Sequence, residues 1–138
     1  MIKKISENEI EQTYELLLNY DKNIMKYYDL KNYINSDIYN LYAYEIDNKI
    51  VGIIIYTILC EEAEILLIFV DENYRNKGIA TLLINSIEEK NVKNILLEVS
   101  TKNDSALALY NKLNFKLINI RKNYYKDSDA YVLRKEYL

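Results

Sequence analysis

The chain has 138 residues, half of them apolar and 28% charged, which suits one globular domain over residues 1–138 and leaves too little length for two independent cores. A formal charge of −3 excludes a broad basic surface for nonspecific nucleic-acid binding, and the absence of histidine removes Ser-His-Asp and Cys-His nucleophile systems and most zinc sites. Cys60 is the only cysteine, so no internal disulfide and no thiolate metal cage can form.

With nothing to activate it, Cys60 reads as a small packed apolar residue. The longest apolar run, Ile53 to Cys60, is far short of the roughly 20 residues of a membrane helix, and no membrane association is expected. The N-terminal residues lack a signal core, which predicts a cytoplasmic chain. The 15 tyrosines are scattered and not interleaved with basic residues, so they do not make a nucleic-acid stacking platform.

In chain order, Ile2 to Ile5 is predicted as a short strand. Ser6 with Glu9 three residues on has capping-box spacing, and Ile10, Tyr14, Leu17 and Leu18 continue at helical spacing to about Asn19. A shorter helix carries Leu30, Tyr33 and Ile34 and stops at Asn35-Ser36-Asp37. Tyr39 to Ile46 and Lys49 to Leu59 read as a hairpin closed by Asp47-Asn48, and Glu64 to Val70 as the next strand. A helix from about Gly78 to Lys90 places Ile79, Leu82, Leu83 and Ile87 on an apolar face. Strand Asn94 to Ser100, helix Asp104 to Leu113 and strands Phe115 to Asn123 and Ala130 to Glu136 complete the order β-α-α-β-β-β-α-β-α-β-β, an α/β unit without linker or repeat.

Chemistry concentrates around the segment Arg75-Asn76-Lys77-Gly78-Ile79-Ala80. A strand feeding a glycine-bearing loop that opens a helix can hold phosphate, because first-turn amides lack partners within the helix and Gly78 permits close approach to the backbone. The loop is neither a Walker P-loop nor the three-glycine dinucleotide fingerprint. Taken alone it is equally a helix start that contains glycine. Glu98, between Leu97 and Val99, points away from their face and on spacing alone is a solvated charge. Tyr110, at helical spacing from Ala106 and Leu113, can be core packing, and Asn103 before Asp104-Ser105 can be a helix cap.

Taken together, Ile68-Phe69-Val70, the Arg75 to Ala80 loop, Leu97-Glu98-Val99, Asn103, Ala108-Leu109-Tyr110, Leu113-Asn114-Phe115 and Arg121-Lys122-Asn123-Tyr124-Tyr125 resemble the GNAT acetyltransferases over about Glu62 to Leu138. Within that family the pattern is most similar to the ribosomal-protein alanine N-acetyltransferases of the RimI type, and the Arg-x-x-Tyr-Tyr segment points to them.

The resemblance implies an α+β fold with a single mixed, mostly antiparallel sheet flanked by helices. It also implies acetyl-CoA as cosubstrate without a metal, bound by Ile68, Phe69, Val70, Arg75, Asn76, Lys77, Gly78, Ile79, Ala80, Thr81 and Asn103. Glu98 would be the general base and Tyr110 the general acid. Tyr124 and Tyr125 would shape the acceptor site, although both can equally be structural. The implied acceptor is a protein or peptide N-terminus, the alanine of a ribosomal protein. A small amine, a lysine, or a non-catalytic acetyl-CoA-binding regulatory role stays open. Asn114 stands where the family has glycine, a change that Asn tolerates in a left-handed turn. Leu67 replaces a polar residue on the strand before the loop, and residues 20–36 lack the family's Pro-Trp-Ser-like segment, which leaves the acceptor half undefined.

Overall fold

The computed structural model describes residues 1–137; Leu138, the end of the expected domain and of the resemblance, lies outside them. Its elements are β1 (Ile2–Lys4), α1 (Ile10–Tyr20), α2 (Tyr27–Ile34), β2 (Tyr39–Ile46), β3 (Lys49–Leu59), β4 (Glu62–Val70), α3 (Ile79–Asn85), β5 (Asn94–Ser100), α4 (Asp104–Lys112), β6 (Lys116–Arg121) and β7 (Ala130–Glu136). The element order is the one expected. The capping box forms as Glu9 Oε1 accepts from Ser6 N at 3.0 Å and from Ser6 Oγ at 2.9 Å, and a 3₁₀ turn at Glu7–Glu9 leads into α1.

One seven-stranded sheet runs β1-β2-β3-β4-β5-β7-β6, with β4 and β5 parallel and every other pair antiparallel. This is the mixed, mostly antiparallel sheet that the family resemblance implied. Asp47 and Asn48 at φ 49° and 64° close the β2–β3 hairpin with the left-handed pair that a two-residue turn requires.

Cys60 and Glu61 do the same between β3 and β4, at φ 51° and 65°. Cys60 is therefore exposed at a turn and not packed in the core, because the turn position outranks the residue's apolar preference. Asn114 takes φ 70°, as its tolerance for that region allows.

Apolar side chains fill both faces of the sheet. Ile10 and Leu17 of α1 and Leu30 of α2 cover Leu41, Ala43, Ile53 and Ile55, while Ile79, Leu83, Ile84 and Ile87 pack on Val51, Ile54 and Tyr56 from the opposite side. Covered on both faces, β3 buries every residue from Ile50 to Tyr56. Each isoleucine fully buried there contributes roughly 1.5–3 kcal/mol.

The expected apolar face of α3 needs one correction. Leu82 is exposed, whereas Ile84 is fully buried, because the arc facing the sheet is centred on Leu83. The α-helix also ends at Asn85 and continues to Lys90 as a 3₁₀ turn, where Ser86 Oγ donates to Leu83 O at 2.6 Å. Among the described residues no helix is long and apolar enough to cross a membrane.

Two features of β4 position the site. Ile65 pairs with Tyr56 and Leu67 with Ile55, so Leu66 is an extra, bulged residue. Before it, Ala63 and Ile65 point into the core beneath α3; after it, Leu67 and Phe69 point to the α1–α2 side and Ile68 and Val70 to the α3 side. A regular strand would keep Ile65, Leu67 and Phe69 on one face. The pairing of β4 with β5 also stops at Ile65↔Leu97, although β4 continues to Val70 and β5 to Ser100. The two strands part at the bulge and leave the last residues of β4 without a ladder on that side.

Candidate functional site

Where β4 and β5 separate, a cavity of about 530 Å³ opens. That volume falls in the range of small-molecule sites. Ile68, Phe69 and Val70 form one wall, and Arg75, Asn76 and Gly78 with the first turn of α3, Ile79, Ala80 and Thr81, form the floor. Asn103, Ser105, Ala106, Leu109, Tyr110 and Lys112 of α4 and its cap stand opposite, and Tyr20 closes the end toward α1. All the residues expected on the donor side except Lys77 meet here, and Tyr110 joins them. Lys77 is exposed and not part of the wall.

The loop has the backbone of an anion cradle. Asp71 Oδ1 accepts from Asn73 N at 3.0 Å, and Arg75 Nε donates to Val70 O at 3.0 Å, which ties the turn to the end of β4. Asn76 and Gly78 sit at φ 63° and 79°, so the chain reverses and presents the start of α3 to the cavity.

Gly78 is the N-cap of α3 and offers no side chain to its free amides; a Cβ placed there would have no heavy atom within 4 Å. Open space, unfilled amides and the cations Arg75 and Lys112 fit a ligand carrying phosphates. Ile79 is 3% exposed, so its contribution is its main-chain N–H.

Gly52, the other glycine of the chain, seats the same helix. A Cβ there would lie 3.0 Å from Ile79 Cγ2 and 3.3 Å from Leu83 Cδ1. Only hydrogen at this position lets α3 approach β3 so closely. Asn103 does cap α4, since its Oδ1 accepts from Ala106 N at 3.2 Å and from Ser105 Oγ at 3.3 Å, while the residue also lines the cavity.

Tyr110 is 6% exposed and packs edge-on against Phe115 at 5.5 Å. Burial, with smaller contributions from Tyr125 and Tyr20, pushes its hydroxyl up to about 12. Sequence reading missed Tyr20, Ser105 and Lys112. Ser105 and Lys112 belong to the helix that holds Tyr110, but nothing local marks Tyr20, whose ring rests 4.6 Å from that of Phe69.

Glu98, Tyr124 and Tyr125 lie outside the cavity wall and form a second group beside it. On β5, Ile95, Leu97 and Val99 are buried beneath the α3 side, so Glu98 faces the other way. It is not a solvated charge: its side chain is 18% exposed and Oε1 lies 3.3 Å from Arg121 Nε. Oε2 is buried without a hydrogen-bond partner of good geometry, although the Tyr124 hydroxyl is close enough for the carboxylate to raise its pKa, through hydrogen bonding first and charge second.

Tyr125 is raised by burial first, then by Tyr124 and Glu98. Tyr125 also contributes to the upward push on Tyr110, after burial. The loop that carries both tyrosines is pinned to β5 by a 2.5 Å contact between Ser100 Oγ and Ser128 Oγ and by Thr101 N donating to Asp129 O at 3.0 Å. Among the described residues, no three His, Cys, Asp or Glu side chains converge as metal ligands.

The family model for the acetyltransferase (GNAT) family matches residues 7–115. An N-alpha-acetyltransferase of Saccharolobus solfataricus is 37% identical over 108 residues, 65% of this chain and 65% of that protein. A [ribosomal protein bS18]-alanine N-acetyltransferase of Escherichia coli is 33% identical over 88 residues, 61% and 60% of the two chains. These matches span less than two thirds of either relative. The crystal structure of Ard1 from Thermoplasma volcanium superposes with a TM-score of 0.85 at 28% identity, over 100% of this chain and 97% of that one.

Proposed function

This chain belongs to the acetyltransferase (GNAT) family, and from that membership and the site geometry we propose that it transfers an acetyl group from acetyl-CoA to a primary amine, the N-terminal amine of a protein. The observation that carries the reading is the parting of β4 from β5 between a phosphate-fitting helix start on one side and a shielded carboxylate on the other. Acetyl-CoA supplies an activated thioester. Gly78, the amides of Ile79 to Thr81, Arg75 and Lys112 hold its phosphates, and the unpaired edge of β4 at Ile68 to Val70 receives its amide-bearing arm and polarises the thioester carbonyl. Asn103 orients α4 against it.

Glu98 takes a proton from the acceptor ammonium, directly or through water, and the amine nitrogen then bonds to the acetyl carbon as the carbon–sulfur bond breaks. Tyr110 faces the departing sulfur. Moving a proton fully from a hydroxyl near 12 to a thiolate of about 8.5 costs about 5 kcal/mol at 1.36 kcal/mol per unit. Tyr110 therefore stabilises the thiolate by donating a hydrogen bond, and the thiolate takes a proton from water as it leaves for solvent. The nitrogen, once bonded to the acetyl carbon, gives up its second proton to water, and Glu98 returns the first one to water. The products are an N-acetyl amide, CoA as its thiol, and one proton released to solvent.

The acceptor follows from the same arithmetic. Releasing the proton of an α-ammonium near 8 at neutral pH costs about 1 kcal/mol, against about 4.5 for a lysine near 10.4. A single carboxylate partnered by an arginine suits the α-amine. The similarity to enzymes named for N-terminal and ribosomal bS18 alanine acetylation supports an alanine N-terminus of a ribosomal protein as substrate, a reaction that belongs in the cytoplasm.

The test is a thioester-consumption assay with acetyl-CoA against peptides with different N-termini, lysine peptides and small amines. Turnover on Ala-starting peptides alone is expected. Turnover on lysine or small amines only would overturn the acceptor assignment, and acetyl-CoA binding without turnover on any acceptor would overturn catalysis. Glu98→Gln is expected to slow turnover at unchanged acetyl-CoA affinity, and a wild-type rate would remove Glu98 from the mechanism.

A further inference from the structure

We infer that Arg121 is a positioning residue for acetyl transfer, holding one oxygen of Glu98 so that the other is presented to the acceptor amine. The inference rests on the reading of Glu98 as the base. Arg121 is the part of the Arg-x-x-Tyr-Tyr segment to which no role in binding or chemistry has been given above.

Two contacts converge on it and a third extends them. Its Nε lies 3.3 Å from Glu98 Oε1. Its guanidinium covers the Tyr124 ring at 5.5 Å. Tyr124 in turn stands edge-on to Tyr125 at 5.0 Å, so the arginine, the carboxylate and the two rings form one packed unit.

Backbone pairing explains why Arg121 can reach. It ends β6, opposite Ala130 of β7, while Glu98 on β5 is opposite Val132, so β7 spaces the two side chains on a common face across one strand. The charged and titratable groups around Glu98 are Arg121 from β6, Tyr124 and Tyr125 from the β6–β7 loop, and Glu64 of β4, whose charge also reaches Tyr124. Arg121 is the only cation among these four, and Glu64 opposes it.

The arrangement divides the labour between the two carboxylate oxygens. Oε1 is occupied by the guanidinium, whereas Oε2 is buried and has no well-aligned donor, the Tyr124 hydroxyl being the group near the carboxylate. A buried carboxylate oxygen without a donor is costly unless a ligand supplies one. The acceptor ammonium is such a donor. The arginine beside the other oxygen carries a fixed charge and cannot itself take up the proton.

The experiment measures kcat and KM separately for the wild type, Arg121→Ala and Arg121→Lys, with acetyl-CoA and the peptide turned over in the acceptor panel, and with calorimetric affinity for acetyl-CoA. The ion pair is 3.3 Å long and Arg121 is 53% exposed, which places its contribution at the lower end for a contact to a charged group. Arg121→Ala is expected to lower kcat/KM about tenfold and to leave acetyl-CoA affinity unchanged.

Ethylguanidinium in solution is expected to restore part of that loss, and Arg121→Lys to recover part of the rate but not the stacking on Tyr124. A wild-type kcat/KM in Arg121→Ala, or a loss that ethylguanidinium cannot repair, would overturn the inference. If Arg121→Ala fails to fold, Arg121→Gln carries the same test. Glu98→Gln measured alongside separates the two claims. A slowed Glu98→Gln beside a wild-type Arg121→Ala removes only the role of Arg121, whereas a wild-type rate in Glu98→Gln removes the base assignment and this inference together.

Discussion

Replacing Tyr110 with Phe isolates one hydroxyl. The ring keeps its edge-on contact with Phe115 at 5.5 Å and its burial at 6% exposure, so the change subtracts an O–H group and little packing. If that hydroxyl serves by hydrogen-bonding a departing thiolate, its removal costs what a bond to a charged group contributes, about 1.5–3 kcal/mol. At 1.36 kcal/mol per decade this is roughly a 10- to 150-fold loss in the acetyl-transfer rate. Because the group is pushed up to about 12, its protonated form persists throughout the working range, and no decline in wild-type rate between pH 8 and 10 should trace to it.

The assay is rapid-quench single turnover with acetyl-CoA at saturation, with calorimetric affinity measured beside it. A wild-type transfer rate in Tyr110→Phe would refute the leaving-group role. A loss matched by an equal loss of acetyl-CoA affinity would show that Tyr110 is only a wall of the cavity.

Gly78→Asn should retain most of its stability, because Asn tolerates φ near 79°, yet bind acetyl-CoA more weakly as its side chain enters the open space; unchanged affinity by calorimetry would defeat the phosphate-cradle assignment. Gly52→Ala places a methyl group 3.0 Å from Ile79 Cγ2 and should lower the melting temperature by an amount equivalent to roughly 1–3 kcal/mol, with weaker acetyl-CoA binding as the start of α3 shifts; an unaltered melting curve would mean that α3 is free to move. Asn103→Ala removes the acceptor of Ala106 N and should cost about 1 kcal/mol in denaturant unfolding, whereas Asn103→Asp should restore most of it; equal stability of all three would exclude the cap.

Local signals account for most of the element list. Tyr39 to Ile46, Lys49 to Leu59 and Asn94 to Ser100 match their strands end to end, because β-rich runs are bounded there by turn residues whose left-handed conformations are a property of the residue itself. The loop proposed to hold the donor was equally visible, since an arginine, a glycine and an apolar helical stripe follow one another within a few positions.

The misreadings are those that depend on distant partners. Cys60 was expected inside and is exposed, because the β3–β4 turn falls on it. Leu82 and Ile84 exchange places because the orientation of α3 on the sheet, set at Gly52, decides which arc is covered.

By itself, the sequence determined the order of elements and placed a glycine at the start of the third helix, while the resemblance singled out a carboxylate on one strand and a tyrosine on the following helix. Only the tertiary structure decided that β4 leaves β5 at the Leu66 bulge, that Glu98 is shielded and shares its charge with Arg121, and that Tyr20 from α1 reaches the same cavity. The physical reason is range. Turns, caps and helical stripes depend on residues within a few positions, whereas a bulge, a split between strands and an ion pair across β7 depend on which segments lie side by side, and that is settled when the whole sheet closes over its two cores.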